Sequence, residues 1–329
     1  MIDIAIRVAN YNEAGEGHIN RCLMIRKFIN LKVTWFLDTK SLKIAKNYKN
    51  DKVILENSPK KINFLVAHIR KQKKSLVLID SYMISNLDIM KINAITKTCV
   101  LLDEDRKLTT DIVVCPHLLN FNICKAENFL IGPKYSPANI PEKYRKIKKK
   151  KNIILVSMGS FDRKGITLKI VNVLKRIYDN KELNLKTVVA LGRKSPIIKK
   201  IKLALIGYNN EISVQIGNNQ LYELYNSSLF AIGAPGLSQS ERLLIGCPTI
   251  LLPQNSMQEI LIKNWVDNQC AISSKVTLIS LRATILKLLN DEELRKKIIF
   301  NGKRMVDGKG ASRVAKFIVK EGLKDKNQI

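Results

Sequence analysis

The feature that most constrains this chain is a series of short apolar runs without polar alternation. Residues 2–6, 33–37, 75–79, 99–102 and 111–115 form such runs in the first half. A strand with one face in water alternates apolar and polar residues, whereas a strand covered on both faces reads apolar throughout. Helical patterns separate the runs, the first over about residues 19–29. Strands alternating with helices build βαβ units and an open parallel sheet. The pattern restarts at residues 153–156 and continues with runs at 187–191, 212–215, 229–233 and 249–252. Helices are expected at about 166–178, 221–226, 238–245, 278–289, 292–301 and 312–323.

The fold class is therefore α/β, with two Rossmann-like domains. A chain of 329 residues is long enough for both cores. The expected boundaries are residues 1–146 and 152–329, with the last helix free to pack back on the first domain. Pro133, Pro137, Pro141 and the lysine-rich run 146–151 mark the connection. Open α/β sheets bind ligands beyond the carboxyl ends of their strands. Two such domains facing each other would put the site in an interdomain cleft.

Composition excludes several function classes. There is no run approaching the ~18 uncharged apolar residues of a membrane helix. The first residues are too short and wrongly charged for a signal peptide, so the expected location is cytoplasmic. The net charge is +29, from 57 Lys+Arg against 28 Asp+Glu, but the basic residues are scattered and carry no interleaved aromatics. That pattern fits a solvated surface better than a nucleic-acid interface, so no nucleic-acid partner is expected. Six cysteines without a Cys-x-x-Cys pair, and three histidines, make a metal site an unfavoured reading. The cysteines read as small core residues. The expected assembly is a monomer or weak oligomer.

Two motifs carry the chemistry. The segment Gly15-Glu16-Gly17-His18-Ile19-Asn20-Arg21 joins the first strand to the first helix. Its glycines admit close backbone approach, and a histidine at a helix start suits proton transfer near neutral pH. The second motif, Gly233-Ala234-Pro235-Gly236-Leu237-Ser238, turns into a helix whose amino end suits a diphosphate. Glu241, early in that helix, could accept ribose hydroxyls or merely complement the helix dipole. Asp80-Ser81-Tyr82 and Gln254-Asn255-Ser256 follow strands and fall on the same expected rims. Ser312, after Gly308 and Gly310, reads as a helix cap.

These residues, with Arg7, Asp103-Glu104-Asp105, Gly132-Pro133-Lys134-Tyr135, Ser157-Met158-Gly159 and Asp307-Gly308-Lys309-Gly310, occur in an order that resembles one family. It is the UDP-sugar hydrolase family of pseudaminic acid biosynthesis, related to spore-coat polysaccharide biosynthesis proteins. The resemblance implies a GT-B fold and release of UDP from a UDP-linked 2,4-diacetamido-trideoxy sugar, without metal or other cofactor. It implies that His18 is the catalytic histidine and that Arg7, Gly15, Gly17, Arg21, Tyr82 and Asn255 contact substrate. Gly159, Gly236, Leu237, Ser238 and Glu241 would hold UDP. The chain departs from the family at Ala9, Ser160 and Ser256, where Asp, Gly and Gln are usual. A GT-B glycosyltransferase and a catalytically silent nucleotide-sugar-binding protein remain as alternatives.

Overall fold

The computed structural model describes residues 3–14, 16–45, 50–58, 60–72, 75–146, 152–159, 162, 164–217 and 221–324. Gly15, Ser160 and positions 147–151 of the lysine-rich run lie outside the described residues. The chain forms two compact units, Met1–Asn139 with Gly308–Ile329, and Ile140–Asp307.

The first unit runs β1 (Asp3–Val8), α1 (Tyr11–Ala14), α2 (Glu16–Arg26), β2 (Lys32–Leu37), α3 (Thr39–Ala45), β3 (Lys52–Leu55), α4 (Asn63–Ile69), β4 (Ser75–Asp80), α5 (Asn86–Asn93), β5 (Lys97–Leu101), β6 (Leu108–Cys115) and β7 (Cys124–Ile131). Its seven strands lie in the order β3-β2-β1-β4-β5-β6-β7, every pair parallel. The second unit runs α6 (Glu142–Lys146), β8 (Ile153–Ser157), α7 (Ile166–Asp179), β9 (Lys186–Leu191), α8 (Ile198–Ala204), β10 (Ile212–Ile216), α9 (Leu221–Ser227), β11 (Ser228–Gly233), α10 (Leu237–Ile245), β12 (Thr249–Leu251), α11 (Ser256–Asp267), β13 (Ile272–Ser273), α12 (Leu278–Asn290) and α13 (Glu292–Met305). Its sheet has the order β10-β9-β8-β11-β12-β13, again all parallel. The chain then returns to the first unit with α14 (Gly310–Leu323).

Strand periodicity decides which helices each residue meets. Successive side chains of a strand point to opposite faces. Ile4, Ile6, Val8, Leu76, Leu78, Cys99 and Leu101 share one face of the first sheet with Ile19, Cys22 and Ile25 of α2 and Val314 and Ile318 of α14. Ala5, Val77, Ile79 and Val100 share the other with Leu65 and Ile69 of α4 and Ile89 and Ile92 of α5. By the same alternation Asp80 falls on the α2 face, next in the series after Leu76 and Leu78. In the second unit Ile154, Val156, Phe230 and Ile232 face one core, while Leu155 and Ala231 face the other.

The structure amends several local expectations. Helix α2 begins at Glu16, so Gly17 and His18 are already helical where a loop to residue 19 is expected. The segment read as a connection holds a 3-10 turn at Pro133–Tyr135 and helix α6. Helix α14 starts at Gly310 with Lys309 at its cap position, so Ser312 lies inside the helix. All six cysteines are buried, and none forms a disulfide. Among the described residues no helix is long and apolar enough to cross a membrane.

Candidate functional site

In a doubly wound sheet, the crevice opens where strand order reverses. In the first sheet that point lies between β1 and β4. Asp80 ends β4 there, fully buried, and receives three groups from α2. His18 donates from Nδ1 to Oδ1 at 2.5 Å. Arg21 donates from Nε to Oδ2 and from Nη2 to Oδ1, both at 2.5 Å. His18 and Arg21 are three residues apart and so lie on one helix face, which is why a single carboxylate engages both. Cys22 completes that face, its thiol 3.5 Å from Asp80 Oδ2.

Arg21 also bridges to Asp103, just beyond β5, from Nη1 to Oδ1 at 2.8 Å and to Oδ2 at 2.9 Å. The Tyr82 hydroxyl donates to Asp103, and the His117 Nε2 lies 3.4 Å from it. The Tyr82 ring packs edge-on against His18 with centroids 5.1 Å apart. Burial alone would raise both carboxyls. The charge of Arg21, helped by His18, instead holds Asp80 below the usual carboxylate range. Arg21 with His117 and Tyr82 holds Asp103 well below it. Burial and the neighbouring Asp103 charge push the Tyr82 hydroxyl up, so it stays protonated as a donor. Arg21 occupies the position between the carboxylates that a cation would otherwise take. Among the described residues no group of three or more His, Cys, Asp and Glu side chains is placed to hold a metal ion.

Other candidates from the sequence fall differently. Arg7 is fully buried and does not join this cluster. It follows Ala5 onto the opposite face of β1, and its guanidinium donates to the carbonyls of Val8 (2.7 Å), Phe36 (3.4 Å) and Ser58 (2.9 Å). Those bonds tie the strand ends together, a structural task. Gly17 lies in the first turn of α2, where an added Cβ would meet nothing within 4 Å. Asp103, which the resemblance contains without a role, and His117, which no local motif announces, reach the cluster through the pairing of β5 and β6.

In the second sheet the order reverses between β8 and β11. Gly159 follows β8 with φ of +94°, a left-handed conformation that favours glycine. Beyond β11 the chain turns through Gly236, the cap residue of α10, and Leu237 and Ser238 open the helix. Their backbone N–H groups belong to the first turn, which has no intrahelical acceptors. Glu241 follows one turn later and accepts from the Tyr222 hydroxyl at 3.4 Å. Burial pushes its carboxyl up to about 7, against the pull of Arg242 and Tyr222. Asn255 is exposed and caps α11, its Oδ1 accepting from the Gln258 backbone at 2.9 Å. The resemblance assigns that side chain to substrate, and the capping bond engages its Oδ1. Gln254 beside it donates to the Met158 carbonyl at 2.6 Å and so fixes the end of β8.

No protein-family model matches the chain. It is 23% identical over 323 residues to the spore coat polysaccharide biosynthesis protein SpsG of Bacillus subtilis, a match covering 92% of this chain and 93% of that protein. It is 25% identical over 281 residues to an uncharacterized protein of Methanocaldococcus jannaschii. That match covers 78% of this chain, which spans only 56% of the archaeal protein. A glycosyltransferase from Rickettsia africae superposes with a TM-score of 0.69 at 16% identity, over 99% of both chains. The UDP-GlcNAc 2-epimerase from Neisseria meningitidis, solved bound to UDP-GlcNAc, gives 0.63 at 13% identity, over 97% of this chain and 100% of that one. Acinetobacter baumannii MurG gives 0.65 at 13% identity, over 97% and 99%. With two α/β units built on parallel sheets and this set of structural neighbours, the chain has the GT-B fold.

Proposed function

We propose that this protein is a UDP-sugar hydrolase, which moves the glycosyl group of a UDP-linked 2,4-diacetamido-trideoxy sugar to water in nonulosonic acid biosynthesis. The observation that carries the reading is the His18–Asp80 pair. A carboxylate accepting from Nδ1 fixes the ring tautomer and leaves the Nε2 lone pair as the base. In the reaction, water attacks the anomeric carbon and gives a proton to His18 Nε2. The bond from that carbon to the β-phosphate oxygen breaks, and UDP leaves with the electron pair. Tyr82, held by Asp103, limits rotation of the imidazole by its edge contact.

The reading assigns UDP to the second unit. The N–H groups of Leu237 and Ser238 face the diphosphate, and the dipole of α10 offsets the charge developing on the leaving group. Glu241 accepts the ribose hydroxyls. Support comes from the polysaccharide-biosynthesis role in the name of the Bacillus relative and from the nucleotide sugar bound in the Neisseria structure. The test is incubation with the UDP-sugar and no acceptor, following UDP and free sugar. Stoichiometric release of both is expected. Release of UDP only after an acceptor sugar is added would make the protein a glycosyltransferase and overturn the proposal.

A further inference from the structure

Arg242 is fully buried, yet among the described residues it has no carboxylate in ion-pair contact. Its hydrogen-bond partners are neutral, and the Glu241 carboxyl lies within electrostatic reach without forming an ion pair. Nε donates to Thr249 Oγ1 at 3.1 Å and Gln239 Oε1 at 3.2 Å. Nη2 donates to Gln239 Oε1 at 3.1 Å and to the Ala234 carbonyl at 2.6 Å. Among the described residues Nη1 is buried without a hydrogen-bond partner. The Tyr225 ring lies 6.0 Å away. A buried cation with no anion in contact is costly in a generic interior, so its position asks for an explanation.

That position is beneath the turn at the amino end of α10. A Cβ on Gly233 would lie 2.7 Å from Arg242 Nη1 and 2.8 Å from the Ser157 carbonyl oxygen. The unpartnered nitrogen therefore sits at the paired ends of β8 and β11, where strand order reverses. Glycine at 233 leaves the space that the guanidinium fills. Two independent features thus converge on one point, the free N–H groups of a nine-residue helix and a buried guanidinium nitrogen with no hydrogen-bond partner among the described residues.

We infer that Arg242 is a positioning residue that supplies the missing counter-charge for a diphosphate group bound at the Gly233–Ser238 turn. It acts through its field and by holding the Ala234 carbonyl back from the anion. It does not touch the ligand. The low polarizability of a buried site lets such a charge act over several ångströms. The inference rests on the proposed placement of UDP in this unit, and it extends that placement to any diphosphate.

The experiment is calorimetric titration of the full chain, wild type, Arg242→Gln and Arg242→Lys, with UDP, uridine and inorganic diphosphate. Unfolding curves establish that each variant is folded. The wild type is expected to bind inorganic diphosphate. Arg242→Gln should weaken UDP and diphosphate about tenfold or more while uridine changes less than about twofold. Arg242→Lys keeps the charge and should retain diphosphate binding within about threefold even if Arg242→Gln does not fold. Equal weakening of UDP and uridine, or equal losses in the Gln and Lys variants, would reduce Arg242 to a structural tie and overturn the inference. A wild type that binds inorganic diphosphate but not UDP would reject the UDP reading and leave this inference standing. No diphosphate binding by the wild type would reject the inference itself.

Discussion

At His18 the bond to Asp80 occupies Nδ1 and leaves Nε2 for the proposed proton transfer, and the same carboxylate neutralises Arg21. His18→Asn removes the proposed base but keeps a polar group of similar size. It should lower kcat by about 10²–10⁴-fold with UDP affinity unchanged, as read by steady-state kinetics and titration. Asp80 and Glu241 titrate in opposite senses. Asp80 is held low in the native state, so its stabilisation is present above the ordinary carboxylate pKa and is lost as pH falls through the lowered one. Urea midpoints measured down the acid range should fall less steeply in Asp80→Asn than in the wild type, from a lower starting stability. Glu241 is raised to about 7, so its contribution is present at acid pH and is lost as pH rises from the ordinary range towards 7. Ribose hydroxyls donating to it would favour the charged form. UDP binding should then release protons below about pH 7, with affinity rising with pH up to that point and levelling above it. Titration at pH 6 in buffers of different ionisation enthalpy measures that release, and proton uptake would contradict the assignment of Glu241 to the ribose.

Helices α2 and α14 show how elements place these residues. Gly310 opens α14 so close to the chain at Ser136 that an added Cβ would fall 2.1 Å from that carbonyl oxygen. Backbone on both sides leaves little room to yield, so Gly310→Ala should cost at least about 1–3 kcal/mol in chemical denaturation. Gly17→Ala meets open space within a helix and should leave stability equal or slightly higher. A fall in activity in that variant would mark ligand approach at Gly17, whereas full activity would remove Gly17 from the site. The elements differ in how far the sequence reveals them. Strands β1, β4 and β8 are apolar on both faces and can be read directly. Three of the four residues of β3 are exposed, and β7 alternates exposed with more covered residues at a sheet edge, so neither leaves a continuous run. Of the site, His18 and Tyr82 are visible beside their strands. For Arg7 the sequence shows its nearness to the motif but not the parity that sends it to the other face of the sheet. Asp103 and His117 become neighbours of Arg21 only once strands β4, β5 and β6 lie side by side.

The molecule as a whole is built from two sheets but not from two consecutive pieces of chain, since α14 belongs to the first unit. Ala311, Val314, Ala315 and Ile318 pack on the face that also holds α2. Lys97 and Glu321 form a buried pair at 3.4 Å between β5 and α14. Ending the chain after Asp307 would uncover the part of that face that α14 shields beside α2. Hydrogen exchange on the truncated protein should show protection lost across β1, β4 and β5 and kept across β8, β9 and β11. Uniform protection would mean that α14 is dispensable to the first core. The return of α14 also sets an order on synthesis. Every strand of the first sheet leaves the ribosome before the second unit is made, yet α14, one of the helices on that side, emerges only afterwards. The middle of the chain can therefore close its core first, while the earlier sheet waits half-covered and reliant on chaperones. A premature stop late in the reading frame would then damage the part of the protein translated first.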